Sequence, residues 1–154
     1  MNRIINYTLL LFFLLLLLGC AYEPILKKQN YQFSINFDKI NGDKKINSII
    51  VNNFNYLIGK KQIYDLTISS TKEKNIISKD SKGDPSIFEL IINVDYSVEK
   101  DKKTIITNKL NRKSTYNNIS DKFELENYEK NIIKNLSTNI SDKIISSISE
   151  INDN

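Results

Sequence analysis

Phe88-Glu89-Leu90-Ile91-Ile92-Asn93-Val94-Asp95-Tyr96-Ser97-Val98 decides the fold. Phe88, Leu90, Ile92, Val94, Tyr96 and Val98 take alternate positions, with Glu89, Asn93, Asp95 and Ser97 between them. A period of two sends the two sets to opposite faces of a strand. The apolar set needs a cover and the polar set does not, so the strand belongs to a sheet that is dry on one side only. Downstream, residues 99–103 read as a charged hairpin turn. Residues 104–116 read as the return strand, with Ile106, Leu110 and Tyr116 on one side.

Upstream, Tyr31, Phe33, Ile35 and Phe37 alternate with Gln32, Ser34 and Asn36, which predicts another strand. Asn41-Gly42-Asp43 breaks it. From there Ile46, Ile49, Ile50, Phe54, Leu57 and Ile58 fall at helical spacing, and Gly59 with Lys60 and Lys61 is the expected stop. Residues 62–70 alternate again through Tyr64, Leu66 and Ile68. Residues 71–84 are polar and rich in lysine, and are expected to form a loop ending at the turn Gly83-Asp84-Pro85.

Beyond the return strand, Ser120 is the expected N-cap of a long helix, with Asp121, Glu124 and Glu126 in its first turns. Its expected stripe is Phe123, Tyr128, Ile132, Leu136, Ile140, Ile144 and Ile148. The order is β-α-β-β-β-α. The fold class expected is α+β: a two-layer sandwich, with a four-stranded, mostly antiparallel sheet and two helices on one face. The uncovered face then carries Gln32, Ser34, Asn36, Asp65, Thr67, Glu89, Asn93, Asp95, Lys109, Asn111 and Lys113.

Composition narrows the function. The chain has 154 residues, no His and one Cys. Without His it lacks the commonest general base and metal ligand, and one Cys forms neither an internal disulfide nor a cysteine metal cluster. No catalytic residues, metal site or cofactor are assigned, and the chain is read as a non-enzyme. Basic residues exceed acidic ones by 22 to 18, for a net charge of +4. They are scattered, almost all are Lys, and no nucleic-acid motif accompanies them, so nucleic acid is not an expected partner. Lys, Asn and Ile are also the residues that AT-rich codons favour.

The first residues read as an address. Arg3 precedes an unbroken apolar run from Leu9 to Leu18, too short to span a bilayer comfortably, and Gly19-Cys20 closes it. Leu17-Leu18-Gly19-Cys20 is similar to a bacterial lipobox, in which the Cys thiol is acylated after cleavage. The expected organisation is a signal peptide at 1–19, a lipidated tether at 20–30 starting at Cys20, and a folded domain at 31–154. A free Cys after an ordinary signal peptide is the other reading.

Arg112-Lys113-Ser114-Thr115-Tyr116-Asn117, followed by Phe123 and by Tyr128-Glu129-Lys130-Asn131, resembles the end of the shorter members of the LptE family of lipopolysaccharide-assembly lipoproteins. So does the opening Cys20-Ala21-Tyr22-Glu23-Pro24-Ile25. The near absence of Arg departs from that pattern. The resemblance implies an outer-membrane, periplasmic-side lipoprotein that plugs the LptD-type β-barrel and assists delivery of lipopolysaccharide. The alternative is an unrelated envelope lipoprotein that binds a small ligand or peptidoglycan.

Candidate contacts for lipopolysaccharide phosphates are the turn lysines Lys79 and Lys82, with Lys72 and Lys74 before them, and Lys100, Lys102 and Lys103 at the next hairpin. Solvated loop lysines are the competing reading. Arg112 is the one Arg after Cys20. Its strand parity puts it with Leu110 and Tyr116 toward the helices, where it either pairs with Asp121 or Glu124 or meets a partner. Tyr116 is expected in the core or at an interface.

Overall fold

A computed structural model describes residues 31, 33–57 and 62–152. The signal run, Cys20, the tether, Gln32 and the expected helix stop from Ile58 to Lys61 lie outside them. The element order is β1 (Phe33–Gly42), α1 (Lys44–Phe54) continued by a 3-10 turn (Asn55–Leu57), β2 (Gln62–Lys79), β3 (Pro85–Lys100), β4 (Lys103–Asn117) and α2 (Lys122–Asn152). The strands lie in the order β1-β2-β3-β4. β1 and β2 run parallel, joined across α1, and the other two pairs are antiparallel.

The expected faces hold. Tyr64, Leu66 and Ile68 from β2, Leu90, Ile92, Val94, Tyr96 and Val98 from β3, and Leu110 and Tyr116 from β4 are buried together with the helices. α1 contributes Ile46, Ile50 and Phe54, and the turn after it Leu57. Asp43 caps α1: its carboxylate accepts the backbone N–H of Lys45 at 2.9 Å and of Ile46 at 3.1 Å.

Four expectations need correction. The polar loop at 71–84 is strand as far as Lys79, with Thr71 to Ile76 in register against Asn93 to Phe88. α1 begins level with Ser70, at the end of β1, so β2 beyond that point has no full helical cover and no need for an apolar alternation. The hairpin at 99–103 is tighter than expected: only Asp101 and Lys102 lie outside the strands, at φ 52° and 63°. Consecutive left-handed residues make the two-residue turn that matches the twist of a hairpin.

The cap of α2 is Asp121, not Ser120: its carboxylate accepts the N–H of Phe123 at 2.8 Å and of Glu124 at 3.0 Å. The apolar stripe begins later than expected. Phe123 is 74% exposed and Tyr128 47%, whereas Ile132, Ile133, Leu136, Ile140, Ile144, Ile145 and Ile148 are buried.

Candidate functional site

The uncovered sheet face is a grid of paired polar side chains. Asn36 donates to Asp65 at 2.7 Å across β1 and β2. Asn93 on β3 links both neighbours, donating to Glu73 at 3.3 Å and accepting from Asn111 at 2.7 Å. Lys109 pairs with Asp95 at 3.2 Å, and Lys113 with Glu89 at 3.1 Å. Of the residues expected on this face, Ser34 differs in being buried. The cross-strand pairs fix the polar groups in place, so the face presents an ordered array of donors and acceptors. A shallow depression at its centre is lined by Thr67, Ser69, Asp95, Ser97, Thr107 and Lys109.

The candidate lysines do not form one patch. Lys79 ends β2 and Lys82 stands in the β2–β3 turn, while Lys100, Lys102 and Lys103 surround the β3–β4 turn at the other end of the sheet. The 16 residues of β3 separate the two groups by about 50 Å. In the first turn the lysines are interleaved with carboxylates. Asp80 accepts the N–H of Lys82 at 2.8 Å and of Asp84 at 2.9 Å, and Gly83 takes φ 90°.

Lys72 and Lys74 sit in β2 rather than in a turn, and both are paired. Lys72 lies 3.4 Å from Asp43. Lys74 reaches Glu129 on α2 at 2.6 Å and stands over the Phe88 ring, 4.1 Å from its centroid. Glu129 also accepts the Tyr116 hydroxyl at 2.7 Å. Burial by itself raises the carboxyl pKa of Glu129. The hydrogen bonds from Lys74 and Tyr116, with the charges of Lys74 and Lys72, outweigh it and hold that pKa below the ordinary value. Tyr116 is pushed the other way, first by burial and then by Glu129, which favours the neutral phenol.

Tyr116 is thus part of the core and of a polar node at once, its ring packed at a tilt between Phe88 at 5.6 Å and Tyr128 at 6.0 Å. Arg112 has the expected parity and is half-buried. Among the described residues it forms no ion pair with Asp121, which is engaged as the helix cap, nor with Glu124. Its guanidinium donates to the Asn111 carbonyl at 2.8 Å.

The sequence reading missed two polar nodes. Glu129 lay within the lead-in segment yet was given no role, because its partners come from two different strands, Tyr116 on β4 and the distant Lys74 on β2. Ser70, Asn47 and Asp43 form the other. Ser70 donates to Asn47 at 2.8 Å, and Asn47 donates to the Asn41 carbonyl at 2.9 Å. Ser70 continues the parity of Tyr64, Leu66 and Ile68, and a polar residue on a buried face was the available signal.

The arrangement of the sheet and helices matches solved structures. The chain has the fold of rare lipoprotein B. The rare lipoprotein B structure from Shewanella oneidensis covers 76% of this chain and 96% of its own length, with a TM-score of 0.59 at 14% identity. A lipoprotein B from Nitrosomonas europaea covers 81% and 90%, with a TM-score of 0.56 at 12% identity. A lipoprotein from Caulobacter crescentus covers 75% and 88%, with a TM-score of 0.53 at 13% identity. By sequence the chain matches no family model and no curated protein. The likeness to rare lipoprotein B therefore rests on the packing of strands and helices. It agrees with the β-α-β-β-β-α sandwich expected from the alternation of the strands and the spacing of the helices.

Proposed function

We infer that this chain is an outer-membrane lipopolysaccharide-assembly lipoprotein of the LptE type, anchored through Cys20 and seated as a plug and folding partner in an LptD-type β-barrel. The observation that carries the reading is the uncovered sheet face, a fixed grid of hydrogen-bonding side chains on a fold shared with lipoproteins. The lumen of a large outer-membrane barrel is polar, so its wall presents complementary donors and acceptors. A plug works through an extended polar contact area and calls for no catalytic group, in keeping with a chain that lacks His.

Lipopolysaccharide phosphates are the proposed ligands of Lys79 and Lys82 at one hairpin and of Lys100, Lys102 and Lys103 at the other. At a separation of about 50 Å, the two groups act on different molecules or at different stages of one passage. Single exposed lysines contribute about 1 kcal/mol or less each, so the hairpins act as groups.

The test is detergent extraction of the tagged full chain from its native membrane, followed by identification of what co-purifies. A large outer-membrane barrel in stoichiometric amount supports the plug. A chain that emerges alone, or with peptidoglycan fragments or a small molecule, replaces it with the ligand-binding alternative.

A further inference from the structure

The sheet has two edges of different construction. β1 is 10 residues long, runs parallel to its neighbour and is interrupted by a register shift between Phe37 and Lys39. β4 is 15 residues long and pairs with β3 without a shift from Asn117 to Ile106. Among the described residues no strand pairs with the other side of β4. A long regular edge is a template for a further strand, and proteins blunt one with a bulge, a proline, brevity or charged side chains, the last of which still admits a strand of opposite charge. β1 is shortened and bulged. β4 has its one register shift beside the turn, at Ile105, and is regular from Ile106 to Asn117 with no Pro.

Charge decides which strand such an edge accepts. β4 carries Lys103, Lys109, Arg112 and Lys113 and no acidic residue. A second copy of β4 would bring like charges together, which opposes edge-to-edge pairing of two copies. Lys109 and Lys113 are already matched by Asp95 and Glu89 on β3. Among the described residues Arg112 has no such match. It is held to its neighbour's carbonyl and leaves most of its planar fork of donors for a carboxylate.

We propose that the free edge of β4 binds an acidic, extended polypeptide segment by strand addition, with Arg112 gripping a carboxylate of the added strand. Main-chain hydrogen bonds supply the affinity and Arg112 sets register and sign of charge. This surface is separate from the polar sheet face assigned to the barrel wall, so either can fail without the other.

The test is hydrogen exchange of the full chain in detergent, with two synthetic peptides as probes: one alternating Glu and Val, the other alternating Lys and Val. The acidic peptide is expected to slow exchange along β4 and leave β1 unchanged, with binding that weakens as salt is added. Arg112→Gln should weaken it about tenfold, the worth of one charge-assisted hydrogen bond. Arg112→Glu should reject the acidic peptide and accept the basic one. Equal binding of both peptides, slowing elsewhere than β4, dimerisation through β4, or unchanged affinity in a correctly folded Arg112→Gln would each overturn the proposal.

Discussion

Gly42 presses against Ser70: a Cβ on Gly42 would stand 1.9 Å from the Ser70 carbonyl oxygen. Gly42 also takes φ 96°, and the next residue, Asp43, donates its N–H to that same oxygen at 3.2 Å. The end of β1, the cap of α1 and the middle of β2 therefore meet where only glycine fits. Gly42→Ala faces a backbone clash and an unfavourable φ together. It should cost about 3 kcal/mol or more, read as a fall in the urea midpoint with unchanged slope. A variant that unfolds at the parent's midpoint would show that the three elements do not meet this closely.

Ser137 makes the opposite case. Its hydroxyl is fully buried on α2 and has no hydrogen-bond partner among the described residues. Ser137→Ala removes an unsatisfied polar atom and improves helix propensity, so it should raise stability by about 1 kcal/mol. The buried Tyr96 hydroxyl is in the same position, and Tyr96→Phe should be neutral or stabilising. Thermal melts of the two variants check this, and a marked loss in either would reveal a partner for that hydroxyl.

The node of Lys74, Tyr116 and Glu129 predicts a pH dependence. The folded-state pKa of Glu129 lies below its unfolded value of about 4.3. Its contribution is therefore complete above that value and is lost as pH falls through the lower, folded one. Glu129→Gln should lower stability at neutral pH by about 1–2 kcal/mol. The gap from the parent should close below roughly pH 4. Tyr116 has a raised folded pKa, so its contribution holds up to about pH 10 and is lost above it. A gap that stays constant across the acid range would mean that Glu129 is not held as a carboxylate by these partners.

Much of the fold was legible because one face of each strand is buried and the other is wet. Leu90 through Val98 alternate with Ile91 as the one apolar residue on the wet side, and Tyr64, Leu66 and Ile68 alternate too. What was not legible lies where that contrast fades. Beyond Ser70, Thr71 to Asn75 are polar on both faces and the Ile76 and Ile77 that follow are exposed, since α1 does not cover this part of β2, so Lys72 and Lys74 read as loop. Phe123 and Tyr128 fit the helical period of α2 yet stay exposed, because periodicity does not say where cover begins. The lysines were legible as residues but not as a site: the strand between them already puts residues 79–82 and 100–103 at opposite ends, and the pattern does not say what either end meets. The partners of Arg112 and Tyr116 depended on which carboxylate the fold brought near. Asp121 went to the helix cap, and Glu129 took the tyrosine.

The anchor is tested by mass. Cys20→Ala should yield a chain that lacks the acyl mass and no longer partitions into membranes, because each buried methylene contributes about 0.8 kcal/mol to membrane binding. An unaltered mass and membrane fraction would leave Cys20 as an ordinary thiol.

The plug is tested most directly by changing the sheet face and counting the barrel. Asn93→Lys with Asn111→Glu puts two opposite charges directly across from one another at the centre of the polar grid and leaves the buried face untouched. Melting temperature and co-purifying barrel should be measured on the same preparation from native membranes. The plug account predicts a melting temperature close to the parent's and a large loss of barrel. Parental amounts of barrel bound to the doubly substituted chain would contradict it.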